Sequence, residues 1–163
     1  MNEETSDLNE LDKFWMQRAL ELATLAEQQG EVPIGAVVVK DDQIIGEGYN
    51  APISQHDPSA HAEIQAIRNA ARQLGNYRLL DCSLYVTIEP CVMCVGAIVH
   101  ARLREVVYGA KEPKTGAVQS AFDLLSADQH NHRVQVRHGI LETECANILK
   151  AFFQRRRDAI KSV

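Results

Sequence analysis

Two short segments carry residues able to hold a metal ion and move a proton. His61-Ala62-Glu63 opens one helical pattern, and Pro90-Cys91-Val92-Met93-Cys94 opens another. Cysteines at i and i+3 project from the same side of a helix. Thiolate sulfur is a soft donor suited to zinc, and an imidazole completes a mixed nitrogen–sulfur set. A proline at the helix start and the free N–H groups of the first turn favour negative charge, which helps keep both sulfurs deprotonated. Structural zinc sites close with four Cys or His ligands. His61, Cys91 and Cys94 leave one position for water, which is the catalytic arrangement and brings that water toward a pKa of ~7. Glu63 stands two residues from His61, about 200° around an ideal helix, so the pair must sit in the first turn on either side of the Ile64/Ile67 stripe. A carboxylate there can take a proton from water and return it to a ring nitrogen and a leaving amine, a contribution of ~10²–10⁴-fold.

Other readings of the same residues stay open. A lone C-x-x-C also describes structural zinc or a redox pair, although a redox pair leaves the upstream H-x-E without a role. His56, His100, His130, His132 or His138 could supply a fourth ligand and close the site. Cys82 and Cys145 read as small core residues, Cys145 because it falls on an apolar helix stripe.

The elements that must position these groups follow from periodicity. Residues 1–10 are acidic and expected to be loose, with the folded domain running from 11 to 163. Leu11, Trp15, Leu22, Leu25 and Ala26 mark an amphipathic helix to about Gln29, stopped by Gly30. Val32–Val39 and Ile44–Tyr49 read as strands about an Asp41-Asp42 turn, followed by a loop from Asn50 to Ala60. Ile64, Ile67, Ala71 and Leu74 give the His61 helix one apolar face, ended by Gly75-Asn76. Leu84–Ile88 is a third strand, and the helix beyond Pro90 is apolar nearly all round, so more than one side must be covered. Val106–Tyr108 is a fourth strand, Leu124-Leu125 a short helical piece, and Val134–Val136 a weak edge strand. Leu141, Cys145, Ile148 and Phe152 stripe the last helix. Alternating strands and helices predict an α/β layered fold.

Composition bounds the setting. The chain has 163 residues, 45% of them hydrophobic and 24% charged, enough to bury a core without disulfide staples. No apolar run reaches the ~18 residues of a membrane span. The acidic start lacks the features of a signal peptide, so a cytoplasmic protein with free thiols is expected. A net charge of −5 excludes a uniformly basic nucleic-acid binder, yet Lys150–Val163 holds five bases against one acid. On composition alone this tail reads as a solvated helix end whose cations suit the macrodipole.

The ordered pair H-A-E and P-C-V-M-C resembles the signature of the zinc nucleobase and nucleoside deaminases. The likeness runs from about Leu11 to Ile160 and is nearest to the bacterial tRNA-specific adenosine deaminases. It includes Glu31-Val32-Pro33-Ile34-Gly35-Ala36-Val37, Gly46-Glu47-Gly48-Tyr49-Asn50, His56-Asp57-Pro58, Asn76-Tyr77-Arg78-Leu79, Lys114-Thr115-Gly116 and Phe152-Phe153. The resemblance implies a three-layer cytidine deaminase-like fold, with a central mixed sheet and helices on both faces. It implies one Zn2+ per subunit on His61, Cys91 and Cys94, with Glu63 as proton shuttle. Hydrolytic conversion of a wobble adenosine to inosine would then take place in a pocket bounded by Asn50 and Ala62. Implied partners are a tRNA anticodon stem-loop and a second copy of the chain in a homodimer. Glu112 and Lys114 lie in the loop that resembles the family's substrate-contacting loop, where relatives often carry Asp at the position of Glu112. Phe152, Phe153, Arg156 and Arg157 then become candidate RNA contacts at the end of the last helix. Two rivals share parts of this pattern: a deaminase of a free base or nucleoside, of guanine or cytosine type, and a non-enzymatic zinc-stabilised RNA-binding module.

Overall fold

The computed structural model describes residues 3–162. Its elements run α1 Glu3–Gln28, β1 Gly35–Lys40, β2 Gln43–Tyr49, α2 Pro52–Gln55, α3 Ala62–Leu74, β3 Ser83–Ile88, α4 Val92–His100, β4 Glu105–Ala110, β5 Gln135–His138 and α5 Glu142–Lys161. One five-stranded sheet has the order β2-β1-β3-β4-β5. β1 is antiparallel to both β2 and β3, while β3, β4 and β5 run parallel, so the sheet is mixed.

The period-two alternation of the strands sorts side chains onto two covered faces. Ala36, Val38, Leu84, Val86, Val106 and Tyr108 face α3 and α4, where Ala62, Ala66, Ala70, Val95 and Ile98 close the layer. Val37, Val39, Tyr85 and Val107 face the other way, against Trp15, Met16, Ala19 and Leu22 of α1 and Cys145 of α5. The expected three-layer deaminase-like arrangement is present. β3 and β4 are buried along their whole length, as parallel strands covered on both faces must be.

Several boundaries differ from expectation. α1 begins at Glu3 rather than near Leu11. Met1 and Asn2, also expected to be loose, lie outside the described residues. Leu124 lies in irregular backbone, held by its N–H on the Ala117 carbonyl at 3.1 Å, and Leu125 opens a turn, so this piece is no helix. Leu11 and Leu25 flank the buried stripe of α1 and stay partly exposed, while Met16, Ala19 and Ala23 fill it. The weak strand signal at Val134–Val136 corresponds to β5, an edge strand, as expected. Arg137 on that strand reaches Asp12 of α1 at 2.5 Å and Glu105 of β4 at 3.1 Å, tying β5 to the opposite layer. Among the described residues no helix is long and apolar enough to cross a membrane.

Candidate active site

The N-terminal ends of α3 and α4 meet beyond the C-terminal end of β3. Pro90 lies before the α4 helix rather than inside it, so Cys91 is the N-cap and Cys94 sits in the first turn. His61 is likewise the N-cap of α3, in extended conformation. Both helix starts direct free N–H groups and positive dipole ends to one place, where thiolate is favoured.

His61, Cys91 and Cys94 form the one cluster of metal-capable side chains among the described residues, with ligand atoms all within 4.8 Å of one another. His61 Nδ1 is 3.6 Å from Cys91 Sγ and 3.6 Å from Cys94 Sγ. Zinc–sulfur bonds of ~2.3 Å and a zinc–nitrogen bond of ~2.0–2.1 Å at tetrahedral angles require N···S edges of about 3.6 Å. The three donors therefore fit a zinc ion in spacing and in chemistry. No other histidine joins them: His130 and His132 instead meet the carbonyls of Leu124 and Leu103, each at 2.6 Å.

Cys94, with help from His61, pushes the Cys91 thiol down to about 3 against burial. The neighbouring Cys91 sulfur and burial push the Cys94 thiol up, a direction that a metal ion on the two sulfurs would reverse. His61 is raised by its bond to Cys91, against burial and with help from the Glu63 charge. Glu63 is almost fully buried, and burial raises its carboxyl above the usual range. Raised carboxyls are the form in which Glu can both accept and return a proton near neutrality.

The remaining expected residues divide by location. Asn50, just past β2, is buried, and its Oδ1 accepts the Ala62 N–H at 3.0 Å. Ala62 is fully buried in the α3–sheet core, so its link to the site is its backbone. Glu112 and Lys114 line a groove of about 560 Å³ with Lys111, Lys150, Phe153 and Arg157. Phe152 and Arg156 lie elsewhere. Phe152 is buried, with the Arg156 guanidinium 4.8 Å from its ring centroid, and both border a separate hollow with Glu27 and Arg155. Arg155 pairs with Glu27. The four tail residues thus form two pairs, one per helix face, and only Phe153 and Arg157 share a surface with Glu112 and Lys114.

Two buried carboxylates escaped sequence reasoning. Glu31 accepts the N–H groups of Ile53 and Ser54, at 3.1 and 2.8 Å, and so pins the start of α2 beside Asn50. Glu89 accepts five donors from the segment after β4. Burial pushes the Glu89 carboxyl up, but the bonds from Gln119, Ser120 and Glu112 outweigh it and hold it below the usual range. A signal existed for Glu89: an acid directly after the fully apolar run Leu84–Val86 and Ile88, next to Pro90-Cys91, has no solvated face to occupy.

Comparison with known proteins agrees with this geometry. The MafB19-like deaminase family matches residues 10–157. The tRNA-specific adenosine deaminase of Haemophilus influenzae is 51% identical over 154 residues, which is 94% of this chain and 89% of that one. A structure from work on A-to-I editing by tRNA:A34 deaminases at the wobble position of transfer RNA aligns with a TM-score of 0.81. It is 45% identical, over 83% of this chain and 99% of its own. Guanine deaminase from Bacillus subtilis aligns over less, 68% of this chain and 66% of its own, at 46% identity and a TM-score of 0.58. With the three-donor cluster, the buried Glu63 and this extent of likeness together, the chain belongs to the MafB19-like deaminases and, among them, to the tRNA-specific adenosine deaminase family.

Proposed function

We propose that this chain is one zinc-dependent deaminase domain that converts adenosine to inosine at the wobble position of a tRNA anticodon. The observation that carries the reading is a buried Glu63 beside an N/S/S donor set at two helix starts, with Ile88 at the end of β3 lining a groove together with lysines and an arginine. His61, Cys91 and Cys94 would hold the metal. Bound there, zinc would supply an activated water at neutral pH.

The protein's own side chains do the rest. Water adds to adenine C6, and Glu63 carries the first water proton to the ring nitrogen, which leaves a tetrahedral carbon bearing hydroxyl and amine. Glu63 then takes the hydroxyl proton and delivers it to the amine, so that C6=O forms as the C6–N bond breaks and ammonia leaves. Its burial matches that task, because a dry carboxyl transfers protons to its neighbour rather than to bulk solvent. Asn50 spends its oxygen on the Ala62 N–H, which leaves its NH2 group to donate to the base or ribose. Lys111, Lys114, Lys150 and Arg157 would neutralise backbone phosphates, and Phe153 would offer a ring for stacking. An anticodon loop is already partly unpaired, which lowers the few-kcal/mol cost of extruding the base.

The basic groove favours RNA over free guanine or cytosine, since a pocket for a free base needs no phosphate contacts. Glu63 favours an enzyme over a zinc-stabilised binding module, because a structural site gives a buried carboxylate nothing to do. A second copy of the chain would cover α4, whose Val92 and Met93 remain half exposed beside Gly96 and Ala97. Such a homodimer would work in the cytoplasm, where tRNA is its substrate. The test compares a wobble-adenosine stem-loop, free adenosine and free guanine. Inosine in the stem-loop is expected, and Glu63→Gln should keep zinc while losing roughly 10²–10⁴-fold in rate. Rapid turnover of guanine with none of the stem-loop would reject the substrate; undiminished turnover by Glu63→Gln would reject the mechanism.

A further inference from the structure

The Glu89 carboxylate is buried, and among the described residues no lysine, arginine or histidine pairs with it. A buried charge without a cation is costly unless polar groups surround it. Here the polar groups all come from one segment. Oε2 accepts the successive backbone N–H groups of Val118, Gln119 and Ser120, at 3.1, 2.9 and 2.9 Å. Oε1 accepts the Glu112 N–H at 3.2 Å and the Ser120 hydroxyl. Three consecutive N–H groups converging on one oxygen form an anion nest, here filled by the protein's own carboxylate.

The same segment packs onto Glu89 more closely than any side chain permits. A Cβ at Gly116 would stand 2.5 Å from Glu89 Cδ and 2.5 Å from the Glu112 carbonyl oxygen. Glu112, once anchored by its N–H, turns its own carboxylate to the Lys114 N–H at 3.0 Å. Glu89 therefore sets the backbone of Glu112 and, through it, of Lys114, two of the residues that line the basic groove, while lying next to the Pro90-Cys91 turn. We propose that Glu89 is a positioning residue for substrate binding: it folds the 112–120 segment into the shape that presents Glu112 and Lys114 to RNA. This rests on the RNA-editing reading above.

Glu89→Gln tests it, because an amide cannot satisfy both groups of donors. Its oxygen can replace only one carboxylate oxygen, and its NH2 then confronts either the Glu112 N–H or the three N–H groups at 118–120. Removing an N–H bond to a charged acceptor from a surface segment should raise KM for the stem-loop on the order of tenfold, with kcat changed by no more than about twofold. Amide exchange within 112–120 should quicken about tenfold or more, and zinc content should match the parent. Ser120→Ala, which removes one bond and keeps the charge, should raise KM about two- to threefold. Unchanged KM and unchanged exchange in Glu89→Gln would overturn the proposal. So would loss of zinc or of kcat with KM unmoved, which would assign Glu89 to the metal-bearing turn instead. A parent chain that neither binds nor deaminates the stem-loop would overturn the functional reading itself, whereas an active parent indistinguishable from Glu89→Gln would overturn this inference alone.

Discussion

Gly48 offers a direct test of how α3 places His61 and Glu63. It sits on edge strand β2, paired with Ala36, and α3 passes immediately over it. A Cβ there would meet the Ala62 carbonyl oxygen at 2.4 Å, Ala66 N at 2.5 Å and Gln65 Cβ at 2.6 Å. Ordinary carbon–oxygen contact begins near ~3.3 Å, so the first turn of α3 must rise by roughly 1 Å. Overpacking of that kind costs about 1–3 kcal/mol. In a chain of this size each 1 kcal/mol lowers Tm by roughly 2–4 °C. The functional loss should be larger than stability alone explains. His61 and Glu63 move with the helix, and ligand distances tolerate only ~0.2 Å, while a 1 Å misplacement costs about 10²-fold in rate.

Gly46→Ala is the matched control. Its Cβ would meet Ala66 O at 2.4 Å and Ala70 N at 2.5 Å, the same collision one turn farther from the site. Thermal melts, zinc content and single-turnover deamination would be measured on both variants. Comparable Tm losses are expected, with zinc and rate falling chiefly in Gly48→Ala. If Gly48→Ala loses stability yet keeps zinc and rate, the edge strand yields instead of the helix, and the placement of His61 by this contact is wrong.

Cys94→Ala should abolish stoichiometric zinc, because only two of the three donors remain; full retention by metal analysis would reject this ligand set. Replacing Lys114 and Arg157 together by Ala should weaken stem-loop binding and lower its salt slope by about 1.4, two contacts at ~0.7 each for single-stranded RNA, with an unchanged slope arguing that neither touches phosphate. Glu31→Gln should destabilise the chain by about 1–3 kcal/mol at neutral pH. Although burial raises the Glu31 carboxyl, the Ser54 and Ile53 N–H bonds bring it below its ordinary value, so its contribution is complete above that value and disappears as pH falls through the lowered one. The gap between parent and variant in thermal melts should accordingly begin to narrow below about pH 4, and a constant gap from pH 7 to 3 would contradict the assignment. Met93→Glu should leave a folded monomer in sedimentation analysis if α4 forms the homodimer face, whereas an unchanged mass would free that face of the role.

The site was legible because its information is local. H-x-E and C-x-x-C each fall within one helical turn, and the start of that turn supplies electrostatics that favour thiolate. The sheet was legible from apolar runs, with only boundaries shifted. The tail was less so. Phe152, Phe153, Arg156 and Arg157 look like one cluster in the sequence, yet successive residues of a helix point about 100° apart. Positions 152 and 156 share one face and 153 and 157 another, so half of the cluster packs against α1 and only half borders the groove. The segment after β4 was illegible for another reason. Its shape comes from Glu89, more than 20 residues away in sequence, and no local propensity encodes a bond that only tertiary folding creates.

Glu31 and Glu89 point to a common device. Each is a buried acid with no salt bridge among the described residues, and each satisfies backbone N–H groups, those of Ile53 and Ser54 in α2 and those of Glu112 and residues 118–120 after β4. A salt bridge in either place would bring a long, flexible cation whose ordering costs entropy. Backbone N–H groups carry no such cost beyond the loop's own, and they read the shape of the chain rather than its side chains. His61, Cys91, Cys94 and Glu63 sit at helix starts fixed by core packing, whereas Glu112 and Lys114 sit on a loop fixed by Glu89 and share their groove with Lys150, Phe153 and Arg157 of α5.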